Sequence, residues 1–207
     1  MLDMDEQALI TAAQKKDLDA FNHLVLEYQQ SVYNVALRML NDLDAADDAT
    51  QQAFVAAYQK IHTFHGGSFK AWIMRIVTNK CYDMLRKEQR YPTQSIDSSP
   101  YDPEDDMESG WYLEDDNFLP EEQVVLRELE AAVQHCIEQL PQEFKAVVVL
   151  VDIQGLNYAE AAYAVKKPLG TIKSRLARAR VNLQDCLHKF KELLPYQYRS
   201  NKEGSHE

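Results

Sequence analysis

The chain has 207 residues, which is enough for one or two domains, and 45% of them are apolar, so it can bury a core. A formal net charge of −11 argues against a uniformly basic nucleic-acid-binding protein, but the charge is unevenly distributed. Residues 91–123 contain 11 acidic residues and no Lys or Arg, so they carry the entire net charge and the rest is neutral overall.

Composition also bears on the compartment. No stretch of about 18 apolar residues occurs, and the acidic N-terminus lacks a signal-peptide pattern, so we expect no membrane insertion. Cys81, Cys136 and Cys186 form neither a CxxC metal site nor an obvious disulfide framework. We expect them to be small buried apolar residues in a reducing cytoplasm.

Apolar residues at helical spacing dominate both ends of the chain, which predicts an all-α fold. In the N-terminal domain, an apolar stripe runs from Phe21 to Leu40. The next helix is predicted to start near Asp44, a good N-cap residue. The spacing predicts that its outer face carries Asp48, Gln51, Gln52 and Val55.

That outer face has three interpretations. It is a solvated surface, it docks on a basic helical partner, or Asp44, Asp47 and Asp48 bind Mg²⁺. Carboxylates at a helix start are common for electrostatic reasons alone, and no second carboxylate motif accompanies them. The chain also lacks HExxH, GxSxG and P-loop motifs. We therefore expect no enzyme, no metal and no cofactor.

A loop and a helix follow. Gly66 and Gly67 predict the loop, and Ser68 is placed to cap the helix. One face of this helix is apolar and includes Phe69 and Trp72, for which we expect a core position. The other face and its surroundings carry Arg75, Asn79, Lys80, Tyr82, Arg86, Lys87 and Arg90. Aromatic, amide and cationic groups together suit single-stranded nucleic acid, whereas Phe64 fits either a base contact or a structural turn.

Residues 92–123 are rich in Pro, Ser, Asp and Glu, which predicts a flexible acidic linker between two helical domains. It is either an inert tether or a strap that threads a basic channel of a partner. We expect the domains to be joined only by this linker. The polar tail at 196–207 is predicted to be disordered.

The segment after the linker reads as a helix-turn-helix. NYAEAAYAV predicts a short helix, and KKPLGTIKSRLARAR follows with six basic residues and no acidic one. Leu169, Ile172, Leu176, Leu183 and Leu187 share one face of the second helix. Because its other face is cationic, this helix fits the major groove of DNA, although a solvated helix is the plainer alternative.

Three segments together resemble the extracytoplasmic-function sigma factors of bacterial RNA polymerase. DAFNHLVLEYQQSVYNVALRMLNDLDAADDATQQAFVAAYQKIHTF resembles their first conserved region. GSFKAWIMRIVTNKCYDMLRK resembles the end of their promoter-melting domain, and LPQEFKAVVVLVDIQGLNYAEAAYAVKKPLGTIKSRLARAR resembles their C-terminal helix-turn-helix domain. The resemblance implies a polymerase-binding and minus-ten domain at 1–91, a linker at 92–123, and a minus-thirty-five domain at 124–195.

The family also implies roles for matched residues. The polymerase-binding residues would be Asp44, Asp47, Asp48, Gln51, Gln52 and Val55. The minus-ten residues would be Phe64, Phe69, Arg75, Asn79, Lys80, Tyr82 and Arg86. The minus-thirty-five residues would be Lys166, Lys167, Lys173, Ser174, Arg175, Arg178 and Arg180. The implied partners are core RNA polymerase (its clamp coiled coil and flap), duplex and single-stranded promoter DNA, and an anti-sigma factor that sequesters the protein at the inner face of the membrane.

Two positions depart from the family pattern. Lys166 stands where many members have Gly in the turn, so either the turn differs in shape or Lys166 contacts phosphate. Ala177 stands where some members have an aromatic residue, and a small side chain there suits a thymine methyl group. A polymerase-independent helix-turn-helix regulator is the alternative function, but it does not explain the surface between Phe64 and Arg86.

Overall fold

The structure, a computed structural model, describes residues 5–90 and 120–194. Within these ranges it contains eight α-helices and no strand, which confirms the all-α fold. The N-terminal half consists of α1 (Glu6–Gln14), α2 (Leu18–Leu40), α3 (Leu43–Lys60) and α4 (Phe69–Arg90). The C-terminal half consists of α5 (Pro120–Glu138), α6 (Gln142–Val148), α7 (Tyr158–Val165) and α8 (Leu169–Leu187).

Short polar side chains set the helix starts. Asp17 caps α2, and Asp42 caps α3 by accepting a hydrogen bond from the Ala45 backbone amide at 2.7 Å. The predicted start of α3 near Asp44 is therefore displaced, because Asp42 precedes it with the same capping chemistry and Asp44 lies in the first turn. The predicted cap of α4 is confirmed, since the Ala71 amide donates to Ser68 Oγ at 3.1 Å.

The N-terminal core depends on small residues of α3. Ala46, Ala49, Ala53 and Ala57 are fully buried and line one face of this helix. Because alanine adds only a methyl group, the backbones of α2 and α4 can approach α3 closely. The opposite face of α3 is exposed and mostly polar. It carries the residues that we call the outer stripe: Asp44, Asp47, Asp48, Gln51, Gln52 and Val55.

The acidic linker and the tail at 196–207 lie outside the described residues, except that α5 already begins at Pro120. Proline is favoured at the first position of a helix. None of the described helices is long and apolar enough to cross a membrane.

The two halves contact each other directly. Helix α7 packs against α4, and α5 and α6 touch α2. Buried residues of both halves form one hydrophobic cluster. The expectation that the halves are joined only by the linker is therefore wrong, because periodicity within each half does not indicate which surfaces meet across a long linker.

The cysteines differ from expectation. Cys136 of α5 and Cys186 of α8 form a disulfide with a Cα–Cα distance of 5.7 Å, although they are 50 positions apart in sequence. The packing of α5 on α8 brings them together, and their spacing alone did not indicate the pairing. Cys81 is free and buried, as expected, and burial raises the pKa of its thiol to about 12. The cysteine pattern therefore no longer supports a reducing compartment.

Replacing Cys136 with Ser is expected to lower the free energy of unfolding of the C-terminal half by about 2–4 kcal/mol, because a cross-link across a long loop restricts the unfolded chain. Urea unfolding followed by circular dichroism, with and without reductant, measures this effect. Reductant should destabilise the unmodified chain but leave C136S unchanged. Equal unfolding midpoints for the unmodified chain under both conditions would contradict the cross-link.

Candidate nucleic-acid interface

Helices α7 and α8 form the predicted helix-turn-helix. Asn157 caps α7 by accepting hydrogen bonds from the Ala159 and Glu160 amides at 2.9 and 3.0 Å. The Glu160 carboxylate accepts one in return from the Asn157 amide at 2.9 Å, which completes a capping box. Lys166 ends α7 in the left-handed conformation, with φ 53° and ψ 47°. This left-handed conformation is one that favours glycine, although lysine occupies it here.

The Lys166 side chain is exposed beside Lys167, so the strained backbone holds two cations at the turn. Replacing Lys166 with Gly is expected to raise the free energy of unfolding by about 0.5–1 kcal/mol, because glycine adopts this conformation without steric penalty. Lys167 does not have a positive φ, so Lys167→Gly is the matched control and should be destabilising. Thermal unfolding of both variants measures the difference; a stability loss at Lys166 would contradict it.

Helix α8 presents distinct faces. Ile172, Leu176 and Ala179 are buried, as the apolar spacing predicts. Leu169, the first residue of α8, is 44% exposed, against the expectation that it shares the buried face. The exposed face carries Lys173, Ser174, Ala177, Arg178 and Arg180. A helix buried on one side and cationic on the other has the shape and charge of a major-groove reader.

Two arginines of α8 are engaged with acidic residues. Arg175 forms an ion pair with Glu143 of α6, and its side chain is only 15% exposed. Arg180 donates two hydrogen bonds to Asp152 at 3.1 and 2.5 Å, and this bonding raises the pKa of its guanidinium. The two-point contact of Arg180 is one that arginine also makes with phosphate, whereas Arg175 makes a single contact with its carboxylate. Glu143 and Asp152 therefore fix the orientation of these two arginine side chains before any DNA binds.

The loop before α4 is held by α1. Gly66 and Gly67 have φ values of 101° and 91°, which only glycine adopts readily, and so the predicted loop is confirmed. The Gln14 amide of α1 donates to the backbone carbonyls of Ile61 and Phe64 at 3.2 and 2.7 Å. A groove of about 460 Å³ lies there, lined by Gln7, Gln14, His62, Phe64, His65 and Gly66.

Phe64 and Phe69 lie in an aromatic cluster. Phe64 stands edge-on to Phe69 and Trp72 at centroid distances of 5.5 and 5.6 Å, and Tyr28 contacts Phe69 at 5.5 Å. All three of these α4 and loop rings are buried, which agrees with the core position expected for Trp72. For Phe64 and Phe69, stacking on a base would require leaving this cluster.

The polar face of α4 is partly covered by the C-terminal half. The Arg75 guanidinium lies 4.7 Å from the ring centroid of Tyr163 in α7. Tyr82 is half-buried; burial, and then the Glu143 carboxylate, raise the pKa of its hydroxyl to about 12. Asn79 is also half-buried, whereas Arg86 is exposed and pairs with Asp83 at 3.2 Å. The predicted single-strand surface is therefore partly covered: Arg75 lies against α7 and Tyr82 lies near Glu143 of α6, whereas Arg86 is exposed.

The outer stripe of α3 is exposed to solvent. Its six candidate residues, Asp44, Asp47, Asp48, Gln51, Gln52 and Val55, are all exposed. A shallow groove of about 230 Å³ runs along it and includes Lys80 of α4, which thus lies nearer this stripe than expected. In the ranges 5–90 and 120–194, no group of His, Cys, Asp or Glu is arranged to hold a metal ion, so the Mg²⁺ interpretation gains no support.

Sequence reasoning missed three contributors to these surfaces. Gln14 holds the loop from a helix outside the recognised motif, and its distance in sequence from the loop hid the contact. Tyr163 and Gln154 contact α4 from the C-terminal half. Of these contacts, only that of Tyr163 had a sequence signal, because Tyr163 is an aromatic residue on an alanine-rich helix.

The comparisons with known proteins match both halves. The family model of Sigma-70 region 2 matches residues 24–91, and that of Sigma-70 region 4 matches residues 130–183. The chain is 35% identical to the ECF RNA polymerase sigma-E factor of Escherichia coli over 86% of this chain and 91% of that protein. The chain belongs to the extracytoplasmic-function sigma factors. It is accordingly a promoter-recognition factor, and nothing in these matches supports a polymerase-independent regulator.

Other sigma factors are similar to most of the chain. The RNA polymerase sigma-H factor of Pseudomonas aeruginosa is 33% identical over 88% of this chain and 93% of its own length. Among solved structures, RpoE of Bartonella quintana in complex with the anti-sigma factor NepR is 25% identical, covers 81% of this chain and 96% of its own, and has a TM-score of 0.60. CnrH, solved with the cytosolic domain of CnrY, shares the fold at 22% identity, 89% and 99% coverage and a TM-score of 0.64.

Proposed function

We propose that this sigma factor divides its work between residues 1–91, which dock on core polymerase and melt the minus-ten element, and residues 124–195, which read the minus-thirty-five element. The observation that carries the assignment is the face of α8, where exposed Lys173, Ser174 and Arg178 project from a helix-turn-helix. Residues 92–123 would connect the domains through the polymerase cleft, and the tail at 196–207 would take no part.

On the duplex, α8 enters the major groove. Lys173, Ser174 and Arg178 reach base edges, and Ala177 between them leaves room for a thymine methyl group. Lys166 and Lys167 at the turn neutralise phosphates. Arg175 and Arg180 exchange Glu143 and Asp152 for phosphate oxygens, which accept hydrogen bonds from a guanidinium as carboxylate oxygens do.

At the minus-ten element, α4 and the loop hold a separated strand. Arg75, Lys80 and Arg86 bind phosphates, while Asn79 and Tyr82 contact bases. A base extruded from the stack needs a pocket, because unstacking costs a few kcal/mol. The groove beside His65 and Gly66 is large enough to take part. Phe64 and Phe69 serve this step by holding the loop's inner side, with a direct base contact only if the cluster opens.

On polymerase, the outer stripe of α3 docks on the clamp coiled coil, while the C-terminal domain lies on the flap. Asp44, Asp47 and Asp48 supply charge for basic side chains, and Val55, 53% exposed, supplies an apolar centre. The exposed pair Gln51 and Gln52 offers hydrogen bonds between them.

The protein would act in the cytoplasm as a binding factor without catalysis or a cofactor. The related RpoE and CnrH were solved with partner proteins, an anti-sigma factor in the first case. We extend such control to this chain, with an anti-sigma factor that holds it at the inner face of the membrane until released. That factor would cover α8 and the outer stripe of α3.

Reconstitution tests the proposal. The purified chain is mixed with bacterial core RNA polymerase, and transcripts are sequenced from a library of random promoter fragments. We expect the chain to co-purify with core polymerase and to direct initiation downstream of two shared sequence elements. Binding of duplex DNA without polymerase, together with no co-purification, would overturn the proposal and favour the independent regulator.

A further inference from the structure

A single side chain of α1 holds the loop between α3 and α4. The Gln14 amide nitrogen donates to the backbone carbonyls of Ile61 and Phe64 at 3.2 and 2.7 Å, across 47 and 50 positions of sequence. These two bonds use both hydrogens of that nitrogen, and the side-chain oxygen could form neither, because an amide oxygen only accepts. The orientation of the Gln14 amide is therefore set by the loop that it holds.

The two carbonyls depend on Gln14 to different degrees. The Ile61 carbonyl also accepts a hydrogen bond from the Phe64 backbone amide at 3.0 Å. The Phe64 carbonyl belongs to a residue that is only 5% exposed, and within residues 5–90 and 120–194 Gln14 is its one donor. Since a buried polar group without a partner is costly, loss of this donor should turn the carbonyl toward water and move the peptide that follows it.

The tip of the loop, residues 65–67, has little support of its own. Gly66 and Gly67 have positive φ values, and a Cβ added at either would meet nothing within 4 Å, so the backbone conformation rather than space requires glycine there. No residue in the described part of the chain donates a backbone hydrogen bond to this tip or accepts one from it. The Phe64 carbonyl is thus the last fixed point before the tip.

Helix α1 supports the same loop in a second way. The Glu6 carboxylate accepts a hydrogen bond from the Tyr28 hydroxyl, and the Tyr28 ring contacts Phe69 at a centroid distance of 5.5 Å. Phe69 in turn stands edge-on to Phe64, also at 5.5 Å. The aromatic cluster therefore holds the ring of Phe64, while Gln14 holds its carbonyl.

The groove of about 460 Å³ lies where α1 meets this loop. Gln7 and Gln14 line it from α1, and His62, His65 and Gly66 line it from the loop. Both histidines are exposed and bring hydrogen-bonding ring nitrogens to its wall. The width of the groove depends on the distance between α1 and the loop, which the Gln14 bonds set.

We propose that Gln14 is a positioning residue for reading one base of the minus-ten element. It holds the Phe64 carbonyl, and through it the loop tip, at the spacing from α1 that admits the preferred base; the inference rests on the proposed function. A side chain that only stabilised the fold would affect every promoter position alike. A side chain that sets one wall of a groove affects the base in that groove, because hydrogen bonds to base edges weaken steeply when their geometry is disturbed.

Hydrogen exchange in the free, full chain tests the positioning. Gln14→Met keeps an unbranched side chain and removes both donors. Gln30→Met is the matched control, because the Gln30 amide donates to Asn34 one turn along α2, away from the loop. We expect Gln14→Met to raise amide exchange across residues 62–67 about fivefold, the shift produced by losing one ordinary hydrogen bond, and the control to leave it unchanged. Unchanged exchange in Gln14→Met would mean that Gln14 does not position the loop.

Base preference tests the reading. Each variant is bound to core polymerase, and its affinity is measured for single strands that carry the minus-ten element selected from the promoter library, with each base replaced in turn. A preference is the ratio of two affinities from one preparation, so a smaller folded fraction cancels from it. We expect Gln14→Met to lose at least about fivefold of the preference at a single position, the low end of the effect of one wrong base. Preference for the minus-thirty-five duplex should stay unchanged.

The remaining outcomes separate the two proposals. If Gln14→Met loosens the loop but keeps every base preference, Gln14 serves stability alone and the positioning role is wrong. If preference falls equally at all positions, the effect is not local and the role is equally wrong. If the unmodified chain does not bind core polymerase, the proposed function fails and the base-reading role fails with it, while the exchange data still decide whether Gln14 holds the loop.

Discussion

Replacing Arg178 with Glu is expected to abolish transcription from a promoter that the unmodified chain serves with core polymerase. Arg178 is exposed on α8, and removing its base or phosphate interaction costs about 1–3 kcal/mol, or roughly 5- to 150-fold in binding. The reversed charge adds repulsion from the DNA backbone, so the loss of binding affinity should lie at or beyond the upper end of this range. Run-off transcription and binding to the minus-thirty-five duplex measure the effect.

Arg175→Glu is expected to act in the same direction, but it also places a second carboxylate beside Glu143, so its effect combines folding with DNA binding. Lys189→Glu is the matched control: it makes the same charge change on an exposed residue just beyond α8. The control should retain most activity. Normal transcription from the Arg175→Glu, Arg178→Glu double variant would rule out α8 as the recognition helix.

Changing Asp48 and Gln52 to Lys should weaken the affinity for core polymerase by at least about tenfold, because it reverses the charge at the centre of the proposed docking stripe. Both residues are exposed on α3, opposite its buried alanines, so the helix should fold normally. Competition for core polymerase against the unmodified chain measures affinity, and circular dichroism checks helicity.

Glu27 and Gln29 supply the matched control, since changing both to Lys on the exposed side of α2 alters the net charge by the same amount. This pair should bind polymerase almost normally. Equal losses of affinity for both pairs would mean that overall charge, rather than the α3 stripe, governs docking. Unchanged affinity for the Asp48 and Gln52 variant would mean that the stripe is an ordinary solvated surface.

Much of this architecture could be predicted, because the sequence of each helix indicates which of its faces is buried. The apolar spacing of Ile172 and Leu176 placed the inner face of α8, and Ser68 after the two glycines placed the start of α4. Such signals are local: they depend on residues within one or two turns of each other. The helix-turn-helix and the exposed stripe of α3 belong to this class.

The contacts that the sequence did not predict join residues far apart in the chain. They are the Cys136–Cys186 disulfide, the Arg75–Tyr163 stack and the hydrogen bonds from Gln14 to the loop before α4. Periodicity assigns a residue to a face but does not say which face it will meet. The roles of individual residues on DNA and polymerase stay predictions, because they depend on partners whose surfaces are not written in this chain.

The contact between Gln14 and the loop also bears on where a working fragment of this protein can begin. The Sigma-70 region 2 match starts at residue 24, but the amide that holds the Ile61 and Phe64 carbonyls comes from α1, before that point. A fragment trimmed to the matched segment would keep most of α2 and all of α3 and α4, but it would lose this support. The first residue of the family match and the first residue of the physical folding unit are therefore different.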